Sequence, residues 1–141
     1  SDGIGKTVCS SYAQKCVKSS EQLPAHIRIF ANPYSLCDKW DNQDALLGQL
    51  TAFREDLLGK TQIMIAFPGK KGTLSEVKIG LKKGVIIVPV FYEDDDFKAE
   101  ILKFPEITAT LEKYANFYLE KLLKNSVGVD DIILCLESIL N

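Results

Sequence analysis

The sequence is poor in the groups that most enzymes use for acid–base or metal chemistry. His26 is its only histidine among 141 residues. No Ser/His/Asp or Cys/His pairing assembles around it, and at the start of an expected strand it reads as a structural or surface residue. The four cysteines, Cys9, Cys16, Cys37 and Cys135, form no Cys-x-x-Cys pair. A structural zinc site is therefore not expected, nor any other metal or cofactor. Buried, reduced thiols in a cytoplasmic protein are the simpler reading. A formal net charge of −2 argues against the basic stripe of a nucleic-acid binder. No apolar run approaches the roughly 18 residues of a membrane span, and the N-terminus has neither the basic region nor the apolar core of a secretory signal. Internal repeats and low-complexity tracts are also missing.

What the chain does contain is the pattern of an α/β domain, of a length that supports a proper core. Ser1-Asp2-Gly3-Ile4-Gly5-Lys6 reads as a glycine-rich turn opening a helix from about Gly5 to Lys18. Such turns usually follow a strand, so the chain reads as a fragment of a longer protein whose first strand is missing; a frayed polar terminus is the plainer alternative. His26 to Ala31 alternates and is rich in branched residues, which predicts a strand ended by Asn32-Pro33. A loop carrying Trp40 follows. Leu46, Leu50, Phe53 and Leu57 then mark one face of a helix over about Gln43–Leu58, ended by Gly59.

A second strand is expected over Gln62–Phe67, a helix over Leu74–Lys83, and a doubly buried strand over Val85–Val90. Strands alternating with helices predict a Rossmann-like, doubly wound parallel sheet with right-handed crossovers, and a site at the carboxyl ends of the strands. Glu93-Asp94-Asp95-Asp96 lacks EF-hand spacing and reads as a solvated connection. Two further helices are expected. One runs from Pro105 to about Lys124 on a stripe of Ile107, Leu111, Ala115, Tyr118 and Leu122. The other is capped by Asp130 and Asp131 and carries Ile132, Ile133, Leu136 and Leu140. They exceed what a minimal nucleotide-binding sheet needs, and either pack on the sheet or make a subunit contact.

The turn Phe67-Pro68-Gly69-Lys70-Lys71-Gly72-Thr73 organises the candidate site. A glycine-bearing turn between strand and helix offers free backbone N–H groups and the positive end of a helix dipole to an anion. Lys70, Lys71 and Arg54 add fixed charge that would neutralise a diphosphate, and Glu76 could accept hydrogen bonds from ribose hydroxyls. Thr73 and the backbone of residues 2 to 5 complete the set, all expected to converge on one crevice. Plainer readings exist: solubility lysines in a turn, an Arg54 paired with Glu55 or Asp56, and a Glu76 that favours its helix dipole.

Pro68-Gly69-Lys70-Lys71-Gly72-Thr73-x-x-Glu76, with Arg54 on the preceding helix, resembles the P-G-G-x-G-T-x-x-E signature and upstream arginine of the LOG/DprA-like superfamily, called SLOG. Lys70 departs from the second glycine of that signature; its side chain would crowd a phosphate held by backbone alone, while offering a cation. The stretch Ala45–Leu57 and the opening glycine turn are similar to the C-terminal SLOG sensor domain of Thoeris antiphage effectors, over most of the chain up to Val90. That resemblance implies a single regulatory domain without catalysis, binding a cyclic ADP-ribose isomer made by a TIR-domain partner. Binding would activate an N-terminal sirtuin-like NAD-hydrolysing domain within a homo-oligomer. Carried over by position, Arg54 and Lys71 would hold the diphosphate, Glu76 a ribose, and Gly3 would admit the ligand to the first turn; Gly69 and Thr73 belong to the same turn, and Lys70 could replace Lys71 as the direct contact. The alternative from the same superfamily is a LOG-type phosphoribohydrolase acting on nucleoside monophosphates. A subunit-interaction domain with a vestigial nucleotide site is a third reading.

Overall fold

The structure, a computed structural model, describes residues 4–20 and 42–141. Gly3, the expected strand His26–Ala31 with His26, Cys37 and the loop with Trp40 lie outside the described residues. Within them the element order is α1 (Ile4–Lys18), α2 (Gln43–Gly59), β1 (Ile63–Ala66), α3 (Lys71–Lys82), β2 (Ile86–Pro89), α4 (Asp95–Ile101), α5 (Pro105–Leu123) and α6 (Val129–Leu140). The protein is mixed α/β, mostly helical, with a two-stranded parallel sheet among the described residues. No described helix is long and apolar enough to cross a membrane. The chain forms two compact units, residues 1–53 and 54–141, and the division falls within α2.

In the first unit Cys16 of α1 is buried, whereas Cys9 is exposed, against the expectation of buried thiols throughout; its neighbours Val8 and Tyr12 are exposed as well, so this side of the helix is uncovered among the described residues. Asn42 caps α2: its Oδ1 accepts from the N–H groups of Asp44 and Ala45, each at 3.1 Å. Leu46 and Leu50 are buried as the helical spacing predicts, and Phe53 is half-buried.

In the second unit the stripe of α2 continues through half-buried Leu57 and adds Leu58, a buried residue that the i, i+4 reading passed over. β1 and β2 pair in parallel with Ile63 opposite Ile86 and Ala66 opposite Pro89. Pro89 has no N–H to give, and it stands at the last position of its strand; the ladder resumes with Val90 N–H donating to Ala66 O at 2.9 Å. Two adjacent parallel strands need a crossover connection, and α3 supplies it. Gly80 lets this helix approach closely: a Cβ there would stand 3.3 Å from Ile87 Cδ1 and 3.5 Å from Val85 Cβ. β2 is buried along nearly all its length, as its unbroken apolar run predicts. β1 is not, since Ile65 is 37% exposed; among the described residues β1 has no second strand beside it.

The apolar stripe of α5 is buried at every expected position: Ile107, Leu111, Ala115, Tyr118 and Leu122. α5 packs on β2, and α6 packs on α5. Tyr118, fully buried, donates its hydroxyl to Pro89 O at 2.8 Å. Burial disfavours the phenolate there and pushes its pKa far above the ordinary value, with the Cys135 thiol and Asp131 adding to the effect. α6 starts differently from expectation. Gly128 is the N-cap, and Asp131 accepts its N–H at 2.8 Å while taking Lys121 Nζ at 2.5 Å. Those bonds hold the Asp131 carboxyl below its usual range. Ile132 and Leu136 turn partly inward around buried Cys135, whereas Ile133, Leu134 and Leu140 are exposed.

Candidate functional site

The turn after β1 forms as its residues dictate, but the helix begins earlier than expected. Lys70 is the N-cap of α3, and Lys71, Gly72 and Thr73 are its first turn rather than a loop before it. No side chain caps this end, and no acidic residue stands in the first turn. Among the described residues the N–H groups of Lys71, Gly72 and Thr73 find no acceptor. Those three free donors carry the positive end of the helix dipole. The two lysines beside them raise the local positive potential further.

Gly69 is required by its neighbour. A Cβ at this position would lie 2.0 Å from Thr73 Oγ1 and 2.9 Å from Thr73 Cβ, so the threonine side chain folds over bare backbone. The Thr73 hydroxyl makes no hydrogen bond among the described residues and lies against Gly69. This is a nest of donors with no built-in acceptor.

Arg54 does not pair with its sequence neighbours. Glu55 binds Lys83 at 2.5 Å and Asp56 binds Lys60 at 2.6 Å. Arg54 Nε reaches across 22 positions to Glu76 Oε1 at 3.3 Å, with side chains 15% and 33% exposed. Its Nη2 lies 3.4 Å from where a Gly72 Cβ would stand, so the guanidinium rests on the first turn of α3. The expected cations are thus gathered around one helix end, but not in a single crevice. Lys70, Lys71 and Gly69 line a cavity of about 500 Å³ whose other wall is Asp94, Asp96 and Glu100, with Leu74 and Phe97 between. Arg54, Thr73 and Glu76 do not line it. Helical geometry explains the division. At 100° per residue, Gly72 and Glu76 fall about 40° apart and present one side, to Arg54, while Lys71 lies about 140° from Glu76 and faces the other way.

The acidic wall is the part of the site that the sequence did not announce. Asp94 is the N-cap of α4 and accepts Phe97 N–H at 2.8 Å, with Asp95 and Asp96 in the favourable first turn. The acidic run is solvated, as expected, but it starts a helix rather than merely connecting two elements. Glu100 pairs with Lys103. The only signal for this wall was the run of acids immediately after a buried strand, where a site at the carboxyl edge would draw its residues.

A second cavity of about 290 Å³ lies past the carboxyl end of β2 and is lined by residues 90–93 with Leu122, Asn125 and Val127. Among the described residues no cluster of His, Cys, Asp and Glu could hold a metal ion. No protein-family model matches this chain, and no curated protein or solved structure matches it either.

Proposed function

We propose that this chain is a nucleotide-sensing regulatory domain of the SLOG kind, with β1–α3–β2 as part of a Rossmann-like doubly wound sheet. The observation that carries the reading is the set of unpartnered donors at the start of α3. Three free amides, Lys70, Lys71 and the guanidinium of Arg54 surround a helix end where Glu76 is the one acid in contact among the described residues. An anion placed there satisfies donors that nothing described in the protein satisfies. A pyrophosphate can span from the Lys71 side to the Gly72 side of the turn, where Arg54 still has its Nη groups to donate. The facing wall of Asp96 and Glu100 accepts hydrogen bonds, which suits ribose hydroxyls. In this reading the ligand is a cyclic ADP-ribose isomer. Its binding shifts a cytoplasmic homo-oligomer toward a state in which a sirtuin-like domain of the full protein hydrolyses NAD, and the domain itself has no catalytic residue.

Calorimetry with ADP-ribose and its cyclic isomers tests the site. Arg54→Ala is expected to weaken binding by roughly 2–5 kcal/mol, the cost of truncating one partner of a desolvated charge contact, and Lys71→Ala, at an exposed position, by about 1 kcal/mol. Wild-type affinity in both variants would sink the assignment. Incubation with nucleoside monophosphates separates the sensor from a phosphoribohydrolase: steady release of free base, abolished by Glu76→Ala, would favour the enzyme.

A further inference from the structure

The cavity beyond β2 is built differently from the charged one. It is lined by residues 90–93, Leu122, Asn125 and Val127, with Tyr92 its exposed aromatic and Glu93 and Asn125 its carboxylate and amide. Tyr92 is 63% exposed, yet its ring is held in place. It stacks on Phe67 from the end of β1, with centroids 6.0 Å apart and planes inclined by 16°. Phe67 backs the ring without lining the cavity. The backbone under Tyr92 is left-handed, at φ 46°, and Glu93 follows at φ 63°. Two successive non-glycine residues in that region, one of them bulky, are strained. Here the strain presents an aromatic ring to a cavity at the carboxyl edge of a parallel sheet, where α/β domains take their ligands.

The polar groups are equally specific. Lys98 Nζ donates to Leu123 O at 2.8 Å and to Asn125 Oδ1 at 3.3 Å. An ammonium can only donate, so the amide oxygen of Asn125 is committed to it and Nδ2, a double donor, remains. The Glu93 carboxylate, which can only accept, has no partner among the described residues. The cavity therefore offers an aromatic ring with its hydroxyl, an amide donor group and a carboxylate acceptor.

We propose that this cavity is a base subsite for an amino-substituted purine, stacked on Tyr92, its exocyclic amine donating to Glu93 and a ring acceptor taking Asn125 Nδ2. The proposal deepens the nucleotide reading and rests on it for what lies next door. Residues 90–93 line this cavity, and Asp94 and Asp96 at the start of α4 line the lysine-bearing one; in this proposal the base and the phosphate of one ligand lie on either side of that short connection.

The test uses the whole chain and two separate probes, adenosine and inorganic pyrophosphate, followed by NMR titration of backbone amides and saturation-transfer difference on the ligand. Adenosine is expected to shift residues 90–93 and 122–127, and to bind at least tenfold more weakly to Tyr92→Asn and to Asn125→Asp. Both replacements tolerate a left-handed backbone, so the fold is kept. Pyrophosphate affinity should be unchanged in both. Purine riboside, which lacks the amine, should bind more weakly than adenosine. Equal adenosine binding by wild type and Tyr92→Asn, or shifts confined to residues 68–76, overturns the proposal. If pyrophosphate binds and adenosine does not, the base subsite is wrong and the phosphate reading stands. If adenosine binds at residues 90–93 and pyrophosphate does not bind, the base subsite stands and the phosphate reading is wrong.

Discussion

Replacing Glu76 by glutamine is expected to lower stability and strengthen anion binding at the same time. The change removes one charge and keeps an oxygen for Arg54 Nε, so it isolates electrostatics from shape. The pair lies between the two familiar limits. At 15% and 33% exposure and 3.3 Å it is neither a solvated surface bridge nor fully buried. Surface pairs contribute about 0–1 kcal/mol, and breaking a buried one costs about 3–5 kcal/mol. With the hydrogen bond retained, a loss of about 1 kcal/mol is expected, or about 3 °C in Tm for a chain of this size. The loss should shrink in 1 M salt, where the Debye length is about 3 Å. Anion affinity moves the other way. Glu76 stands five residues beyond Lys71, about 7.5 Å along the helix axis. A unit charge at that distance repels a bound anion by about 0.5–2 kcal/mol at effective dielectrics of about 80 to 20. Its removal therefore strengthens pyrophosphate binding roughly 2- to 40-fold. Thermal melts and calorimetry at two salt concentrations read both effects. A variant that binds pyrophosphate more weakly than wild type would refute the view of Glu76 as the counter-charge that the anion must displace.

Other perturbations give independent checks. Tyr118→Phe strips Pro89 O of its buried donor and should cost about 1–3 kcal/mol, seen as a Tm drop of about 3–10 °C; an unchanged Tm would mean that the hydroxyl is not bonded. Gly69→Ala drives a methyl into Thr73 and should cost about 1–3 kcal/mol in urea denaturation. Thr73→Ala in the same chain should recover part of that loss, and strict additivity would contradict the contact. Asp131 is stabilised as a carboxylate by Lys121 and by the Gly128 N–H, so its folded-state pKa is lowered. Its contribution is fully present above the unfolded value of about 3.9 and fades as pH falls through the folded one. Asp131→Asn should therefore flatten the stability profile below about pH 4, and a wild-type slope there would remove Asp131 from the acid transition.

Elements whose burial is one-sided or complete were legible in the chain itself. The five-residue stripe of α5 and the unbroken run of β2 need only a period to be recognised. α6 was readable as a helix but not as a face, because its apolar residues occupy most of its circumference and packing against α5 selects among them. A start for α3 at Leu74 is three residues late because Gly72 and Thr73 carry poor helix propensity, whereas the free helix end tolerates them. The site was half legible. Lys70, Lys71 and Arg54 could be gathered from spacing, yet their division onto two sides of one helix follows from rotation per residue. Asp96, Glu100, Tyr92 and Asn125 were missed because they reach the carboxyl edge from roughly 20 to 55 positions downstream of the turn, and no local pattern reports such meetings.

The segment between β2 and α4 is a partition with a chamber on each face. A partition cannot lean toward one side without altering the room on the other. In the proposed reading, whatever settled against Tyr92 would also bear on Asp94, the N-cap of α4, and the reverse would hold with equal energy. Two half-ligands, added separately, would each sense whether the other was already home.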